Sequence, residues 1–307
     1  MKRLRYFVYY GLPALGIALL LGGCDHVVLL DPKGPIGDTE RFVIIASFVL
    51  MLIVVIPVVI MTLIFPWKYR ASNANATYTP KWSRSVKIES VIWLVPALIV
   101  ILLGTLVWIT THRLDPYKPI DTGVKPINIQ AVSMDWKWLF IYPDQNIATL
   151  NQLVFPAKVP LSFKLTSDTV MASFFIPQLG SQIYTMAGMQ TQLHLMADEP
   201  GVYTGQNQQY SGRGYAEMNF KAVATSQQEF EAWLRKVRNA PDRLDMDRYA
   251  QLEKPGVDSS VMHFSSVKPG LFDHILRQYD HAMAMDPGAV KKPAAPVHPQ
   301  TSASKGS

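Results

Sequence analysis

The sequence predicts a membrane α-hairpin (two transmembrane helices), followed by an all-β sandwich and C-terminal helices. Two uncharged apolar stretches, 42–65 and 91–109, each have about 20 residues, enough at 1.5 Å per residue to cross a hydrocarbon core of about 30 Å. After residue 115 the pattern changes to short apolar runs with a period of two, which is typical of strands. A helical period returns after residue 225. These observations divide the chain into a membrane part and a folded extramembrane part.

The N-terminus has the layout of a secretory signal. A positively charged start is followed by a largely apolar run over residues 6–21, which predicts a signal peptide at 1–23. The end of that run, Leu-Gly-Gly-Cys, resembles the bacterial lipobox, which implies lipidation of Cys24 (for example by palmitate) and a lipidated outer segment at 24–41. The alternative is a third membrane helix with an inert thiol. Because Cys24 is the only cysteine, the sequence excludes disulfides within the chain and cysteine-rich metal sites.

The two apolar stretches predict transmembrane helices at 42–66 and 88–110, joined by a loop at 67–87. That loop is rich in Lys and Arg, and such loops remain on the cytoplasmic side of the membrane. The lipidated end and the β-domain are therefore expected on the outer side. The net charge of +6 comes largely from this loop, the leader and the C-terminal region, so it does not indicate nucleic-acid binding. Pro57 and Pro96 inside the helices favour packing against other membrane helices.

Glu89 stands at the start of the second apolar stretch and has two interpretations. A carboxylate is favoured at a helix N-terminus by the helix dipole, which is a purely structural role. Alternatively, a carboxylate at the cytoplasmic edge of a membrane helix can handle protons at the mouth of a pathway. Neither apolar stretch contains His, so the hairpin does not supply a pair of histidine ligands to haem.

Residues 111–224 are predicted to form the β-sandwich. Trp136, Trp138, Phe140 and Tyr142 alternate, so we expect them on one face of a strand. This stripe is interpreted either as core or as part of an electron path. Further strand-like runs lie at 127–132, 150–155, 161–166, 191–196 and 218–223. Short strands separated by Pro and Gly turns favour a sandwich.

The C-terminal region, 225–285, is predicted to be helical. Ser226 and Glu229 form a candidate capping box, and the apolar residues that follow have helical spacing. A second helix is expected at 271–283. His274 and His281 are too few donors to define a metal site. Residues 286–307 are rich in Pro, Ala, Ser and Lys, which predicts a disordered tail.

Four motifs resemble one known family in their order and spacing. They are WKWLFIYP at 136–143, FFIPQLG at 174–180, MAGM at 186–189 and GVYTGQ at 201–206. Over roughly residues 40–225 the chain resembles subunit II of the haem–copper oxidases. The resemblance implies that the β-domain is a cupredoxin-like Greek-key sandwich. In cytochrome c oxidases of this family, that domain holds a dinuclear copper centre that receives electrons from cytochrome c.

The family's copper-ligand positions carry other residue types in this sequence. Aligned residue by residue, the family's His, Cys, Glu, Cys, His and Met fall on Ala172, Asn207, Gln209, Ser211, Tyr215 and Met218. A dinuclear copper site needs soft thiolate ligands, and there is no cysteine outside the leader. Only Met218 retains a ligating atom, and its alternative role is to fill the core. We therefore expect no metal site in this domain.

Loss of these ligands resembles the quinol oxidase branch, in particular the bacterial cytochrome bo-type ubiquinol oxidases. That resemblance implies a bacterial inner-membrane complex with the β-domain in the periplasm. Subunit I would hold the haems, one copper and the ubiquinol, subunits III and IV and membrane lipid would be further partners, and cytochrome c would not bind. By the same resemblance, Glu89 matches a carboxylate near a proton-channel entrance. The alternatives are a divergent cytochrome c oxidase subunit II and a free-standing cupredoxin-like binding lipoprotein.

Overall fold

The computed structural model describes residues 27–77, 79, 81–257 and 260–285, and it describes side chains only as far as residue 279. The predicted signal peptide, Cys24 and the predicted tail lie outside the described residues. The chain forms two compact units with a boundary after Lys118.

The first unit contains the predicted pair of membrane helices. Helix α1 spans Pro35–Lys68 and helix α2 spans Val86–Arg113, and both are long and apolar enough to cross a membrane. Each extends beyond its predicted apolar span, because the helical hydrogen bonding continues through polar residues that hydropathy does not count. Pro35 occupies the first turn of α1, where its missing N–H costs nothing. A short 3-10 turn, Val28–Leu30, precedes α1.

The second unit is a β-sandwich, as predicted. Its strands are β1 Ile127–Met134, β2 Lys137–Tyr142, β3 Ile147–Leu150, β4 Gln152–Pro156, β5 Leu161–Ser167, β6 Ala172–Phe174, β7 Ile183–Thr185, β8 Thr191–Leu195, β9 Gly201–Gln206, β10 Asn219–Thr225 and β11 Met262–Phe264. The larger sheet has the order β11-β3-β2-β1-β5-β8 and the smaller has the order β4-β10-β9, while β6 pairs with β7. Strands β1 and β5 are parallel, as are β4 and β10, so the chain crosses between the sheets.

The aromatic stripe belongs largely to the core between the two sheets. Trp138, Phe140 and Tyr142 are fully buried there, with Phe174 and Phe220 packed against the first two of them. The Tyr142 hydroxyl donates to the Val154 carbonyl and accepts from its N–H, both at 2.9 Å. Trp136 departs from the prediction, because it lies in the turn before β2.

C-terminal segments pack against both hydrophobic cores of the second unit. Helix α3, Gln227–Arg238, begins with the predicted capping box, whose hydrogen bonds from Ser226 lower the pKa of Glu229. Its apolar face packs on the core between the sheets. The segment after it, residues 239–285, is here named the arm. The arm contains helix α4, Met246–Leu252, strand β11 and helix α5, Leu271–Met285.

The arm buries the outer face of the larger sheet. Val132, Leu139 and Ile141 point into this second core, where Tyr249 and Ile275 of the arm meet them. Because both faces of the sheet are covered, every residue of β2 is buried. A strand buried on both faces has a continuous apolar sequence, in agreement with the Trp-Leu-Phe-Ile-Tyr run of β2.

Candidate functional site

The aligned copper-ligand positions come together at the junction of β6 and the segment between β9 and β10. Ala172 begins β6, and the other five positions lie on residues 207–218, here named the 207–218 loop. The Ser173 N–H, next to Ala172, donates to Asn207 Oδ1 at 2.8 Å. The fold therefore brings the start of β6 next to Asn207.

Asn207 is the centre of this loop. Its Oδ1 accepts hydrogen bonds from the Ser173 and Gln209 N–H groups at 2.8 and 2.9 Å. Its Nδ2 donates to the Gln209 carbonyl at 2.8 Å and to Ser211 Oγ at 3.1 Å. Met218 Sδ lies 3.5 Å from the same nitrogen. Asn207 is buried, and its amide closes the loop by direct hydrogen bonds.

The remaining aligned positions in the loop differ in their surroundings. Met218 is 1% exposed and its side chain packs in the sandwich core. Tyr215 lies at the surface in a 3-10 turn, Tyr215–Glu217, where its ring meets the edge of Tyr210 with centroids 5.2 Å apart. Gln209 contributes backbone hydrogen bonds to Asn207. Met218 is thus a core residue, in agreement with the alternative considered above.

The residues present do not fit a dinuclear copper centre. Such a centre needs bridging thiolates, whereas an amide and a hydroxyl face each other here and hydrogen bond at 3.1 Å. The amide atoms of Asn207 are also engaged by backbone groups. Within the part of the chain that the structure describes, no three His, Cys, Asp or Glu side chains converge as a metal site. The side chains at these positions therefore form hydrogen bonds that close the loop.

Trp136 is a residue of this site that sequence analysis assigned to the wrong element. Its backbone has a φ of +64°, a left-handed conformation that is rare for a bulky residue. The indole Nε1 donates to the Ser211 carbonyl at 3.0 Å. A Cβ at Gly214 would lie 2.5 Å from the indole Cδ2, so only glycine fits beneath the ring. The Gly212-Arg-Gly214 spacing is the sequence signal that could have indicated this close approach.

Glu89 lies apart from this site, in the first turn of α2 in the membrane unit. The helix begins after Ser85, and Arg84 Nε is 3.4 Å from Glu89 Oε2. Both side chains are well exposed. The position agrees with the helix-terminus role and is equally compatible with proton handling, which remains a prediction.

Comparisons with known proteins agree with this architecture. Residues 143–225 match the family model described as cytochrome c oxidase subunit II, periplasmic domain. Residues 238–283, nearly all of the arm, match the model described as the COX aromatic rich motif.

Whole-chain relatives decide the family. Cytochrome bo(3) ubiquinol oxidase subunit 2 of Pseudomonas aeruginosa is 57% identical over 268 residues, which cover 87% of this chain and 81% of the relative. The subunit of the same name from Pseudomonas putida is 52% identical, covering 91% and 89% of the two chains. Ubiquinol oxidase subunit 2 of Acetobacter aceti is 51% identical, covering 90% of each.

The chain belongs to the ubiquinol oxidase subunit 2 family. As a family member with two spanning-length helices and a periplasmic-type domain, it is a membrane-anchored subunit. In this chain, the hydrogen-bonded amide of Asn207 lies at a position where the resemblance implies a cysteine in copper-binding members of the family.

Proposed function

We propose that this chain is a structural subunit of a proton-pumping ubiquinol oxidase and has no redox centre of its own. The observation that carries the proposal is the Asn207 amide, which joins β6 to the 207–218 loop at the aligned copper-ligand positions. The complex would oxidise ubiquinol and reduce oxygen to water. The haems and the single copper would lie in subunit I, with subunits III and IV as further partners.

The membrane solubility of a quinol supports placing the redox centres in subunit I. A quinol is soluble in the membrane, so it can deliver electrons directly to a haem inside a membrane-embedded subunit. A water-side relay in this β-domain, and the cytochrome c that would feed it, are then unnecessary.

The membrane unit supplies the contact with subunit I. The apolar side chains of α1 and α2 are largely exposed along both helices. Pro57 and Pro96 interrupt the two helices, and the carbonyls that proline leaves without an N–H partner are satisfied by neighbouring groups in membrane proteins. These features support packing of the hairpin against further helices. A lipid at Cys24 would hold the mature N-terminus at the outer leaflet.

Co-purification tests the proposal. The oxidase is extracted in mild detergent, its haem spectrum is recorded, and this subunit is then separated and analysed for copper. We expect the subunit to accompany haem-containing subunit I and to hold no stoichiometric copper. Two copper atoms per subunit would favour the divergent cytochrome c oxidase. A chain that purifies alone without haem would favour a free-standing binding lipoprotein.

A further inference from the structure

Two tyrosines of the arm, Tyr249 and Tyr279, hydrogen bond to one buried residue of the sandwich, Asp168. These two hydrogen bonds are here named the tyrosine grip. Asp168, on the connection after β5, is 1% exposed. The Tyr249 hydroxyl of α4 donates to its Oδ1 at 2.5 Å, and the Tyr279 hydroxyl of α5 donates to its backbone carbonyl. Two separate helices of the arm therefore converge on a single point of the β5–β6 connection.

A chain of buried polar groups leads from Asp168 to β6. The Asp168 N–H donates to the Ser133 carbonyl at 2.9 Å. Ser133 Oγ lies 2.8 Å from Thr185 Oγ1, which donates to the Ala172 carbonyl at 3.3 Å. Because the single hydroxyl proton of Thr185 is used in that bond, Ser133 is the donor to Thr185. Ser133 and Thr185 are both buried.

The last step reaches the 207–218 loop. The residue after Ala172, Ser173, donates its N–H to Asn207, whose amide closes the loop. Hydrogen bonds and one peptide link thus connect the tyrosines of the arm to the loop through the interior of the sandwich.

A second connection runs through half-buried residues. Thr169, next to Asp168, donates its hydroxyl to Asp135 Oδ1 at 2.7 Å. The neighbour of Asp135, Trp136, holds the loop through the Ser211 carbonyl. The arm also approaches directly, because a Cβ at Gly214 would lie 2.6 Å from Val257 Cγ2. The 207–218 loop is therefore held both by the buried hydrogen bonds and by these half-buried contacts.

We propose that the arm sets the conformation of the 207–218 loop, in the role that bound metal has in metal-binding domains. Metal ligation orders the segments that supply its ligands. Here the tyrosine grip on Asp168 and the chain through Ser133, Thr185 and Asn207 provide that order with side chains alone. Arm and loop form one coupled unit. This inference concerns conformation and does not depend on the identity of the electron donor.

Hydrogen exchange of the purified oxidase complex tests the coupling. The double variant Tyr249→Phe/Tyr279→Phe removes both hydroxyls of the grip. We expect amide exchange within residues 207–218 to rise about tenfold, and trypsin cleavage after the exposed Arg213 to accelerate in parallel. The matched control is Arg248→Gln, a change on the same helix as Tyr249, which removes an ion pair with Asp242 and leaves Asp168 untouched. It should leave loop exchange unchanged.

A second variant distinguishes coupling between arm and loop from detachment of the arm from the sandwich. Ser133→Ala removes the bond to Thr185 but leaves the tyrosine grip in place. We expect faster exchange in the 207–218 loop with normal exchange in the arm. Loop exchange that stays at the level of the unsubstituted complex in both the double variant and Ser133→Ala would overturn the proposal.

Discussion

Asn207 shows how one side chain can organise a loop between two strands. A primary amide carries two donors and an acceptor, so it can bind N–H, carbonyl and hydroxyl groups together. Asn207 binds the backbone of Ser173 and Gln209 and the hydroxyl of Ser211. A cysteine thiol is a weak donor and acceptor and could not form this set.

Truncation of Asn207 should destabilise the domain. Asn207→Ala leaves the buried Ser173 N–H and the Gln209 N–H without their acceptor, which predicts a loss of about 2–4 kcal/mol in the free energy of unfolding. Denaturant unfolding of the full chain in detergent, followed by tryptophan fluorescence, measures this loss. The neighbouring exposed residue offers a control, Gln208→Ala, which should cost less than about 0.5 kcal/mol. Equal midpoints for the two variants would contradict the role given to the amide.

Two buried tyrosines predict loss of stability in alkali. Burial raises the pKa of Tyr142 and of Tyr249, and the Asp168 charge raises that of Tyr249 further. A raised folded-state pKa means that the neutral phenol stabilises the fold fully below the unfolded value of about 10, and that this contribution is lost as pH rises above it. The free energy of unfolding should therefore fall steeply above pH about 10.

Tyr249→Phe should flatten that dependence. Each raised group adds at most about 1.4 kcal/mol per pH unit to the slope, and the variant removes one such group. Denaturant unfolding between neutral pH and pH about 11 gives the slope. Tyr210→Phe, at an exposed tyrosine, is the comparison and should retain the full slope. An unchanged slope in Tyr249→Phe would show that this phenol does not remain neutral in the fold.

The rate of oxygen reduction tests whether Glu89 handles protons. If it accepts protons at a channel entrance, Glu89→Gln should slow oxygen reduction by the complex. The effect should be smaller than the about 100-fold loss typical of a catalytic acid or base, because water at the entrance can replace part of its function. Glu217→Gln, on the extramembrane unit, is the control. Normal turnover at all pH values would leave Glu89 only its helix-terminus role.

The arm explains why the larger sheet is apolar on both faces. Its residues at the second core, including Leu271 and Ile275 of α5, fill the space over β1 and β2. Sequence analysis predicted α5 from its apolar cluster. It missed α4 and the short strands β3, β6, β7 and β11, because a periodic pattern cannot develop over so few residues. It also did not predict that β9 is a strand.

A large-to-small change tests how much the arm contributes. Ile275→Ala removes a fully buried side chain and should lower the free energy of unfolding by about 2–5 kcal/mol. His274→Ala changes the adjacent, exposed residue of the same helix and should be nearly neutral. Comparable denaturation midpoints for the two variants would mean that the arm is only loosely attached.

Across the whole molecule, strong and extended patterns were readable from the sequence, whereas local geometry was not. Uninterrupted apolarity predicted α1 and α2, and alternation with turn residues predicted the sandwich. The resemblance indicated that Ala172 and the 207–218 loop belong to one region of the fold. The hydrogen bonds of Asn207, the left-handed turn at Trp136 and the grip on Asp168 depend on contacts between residues distant in sequence, which periodicity does not reveal.

The electron-donor specificity of the purified oxidase tests whether this subunit lacks an entry site for electrons from soluble proteins. Oxygen consumption is measured with a short-chain ubiquinol and, separately, with a reduced soluble c-type cytochrome at low ionic strength, where docking of charged proteins is strongest. The account predicts rapid turnover with the quinol and none above background with the cytochrome. Sustained turnover driven by the soluble cytochrome, together with a two-copper signal in this subunit, would contradict it.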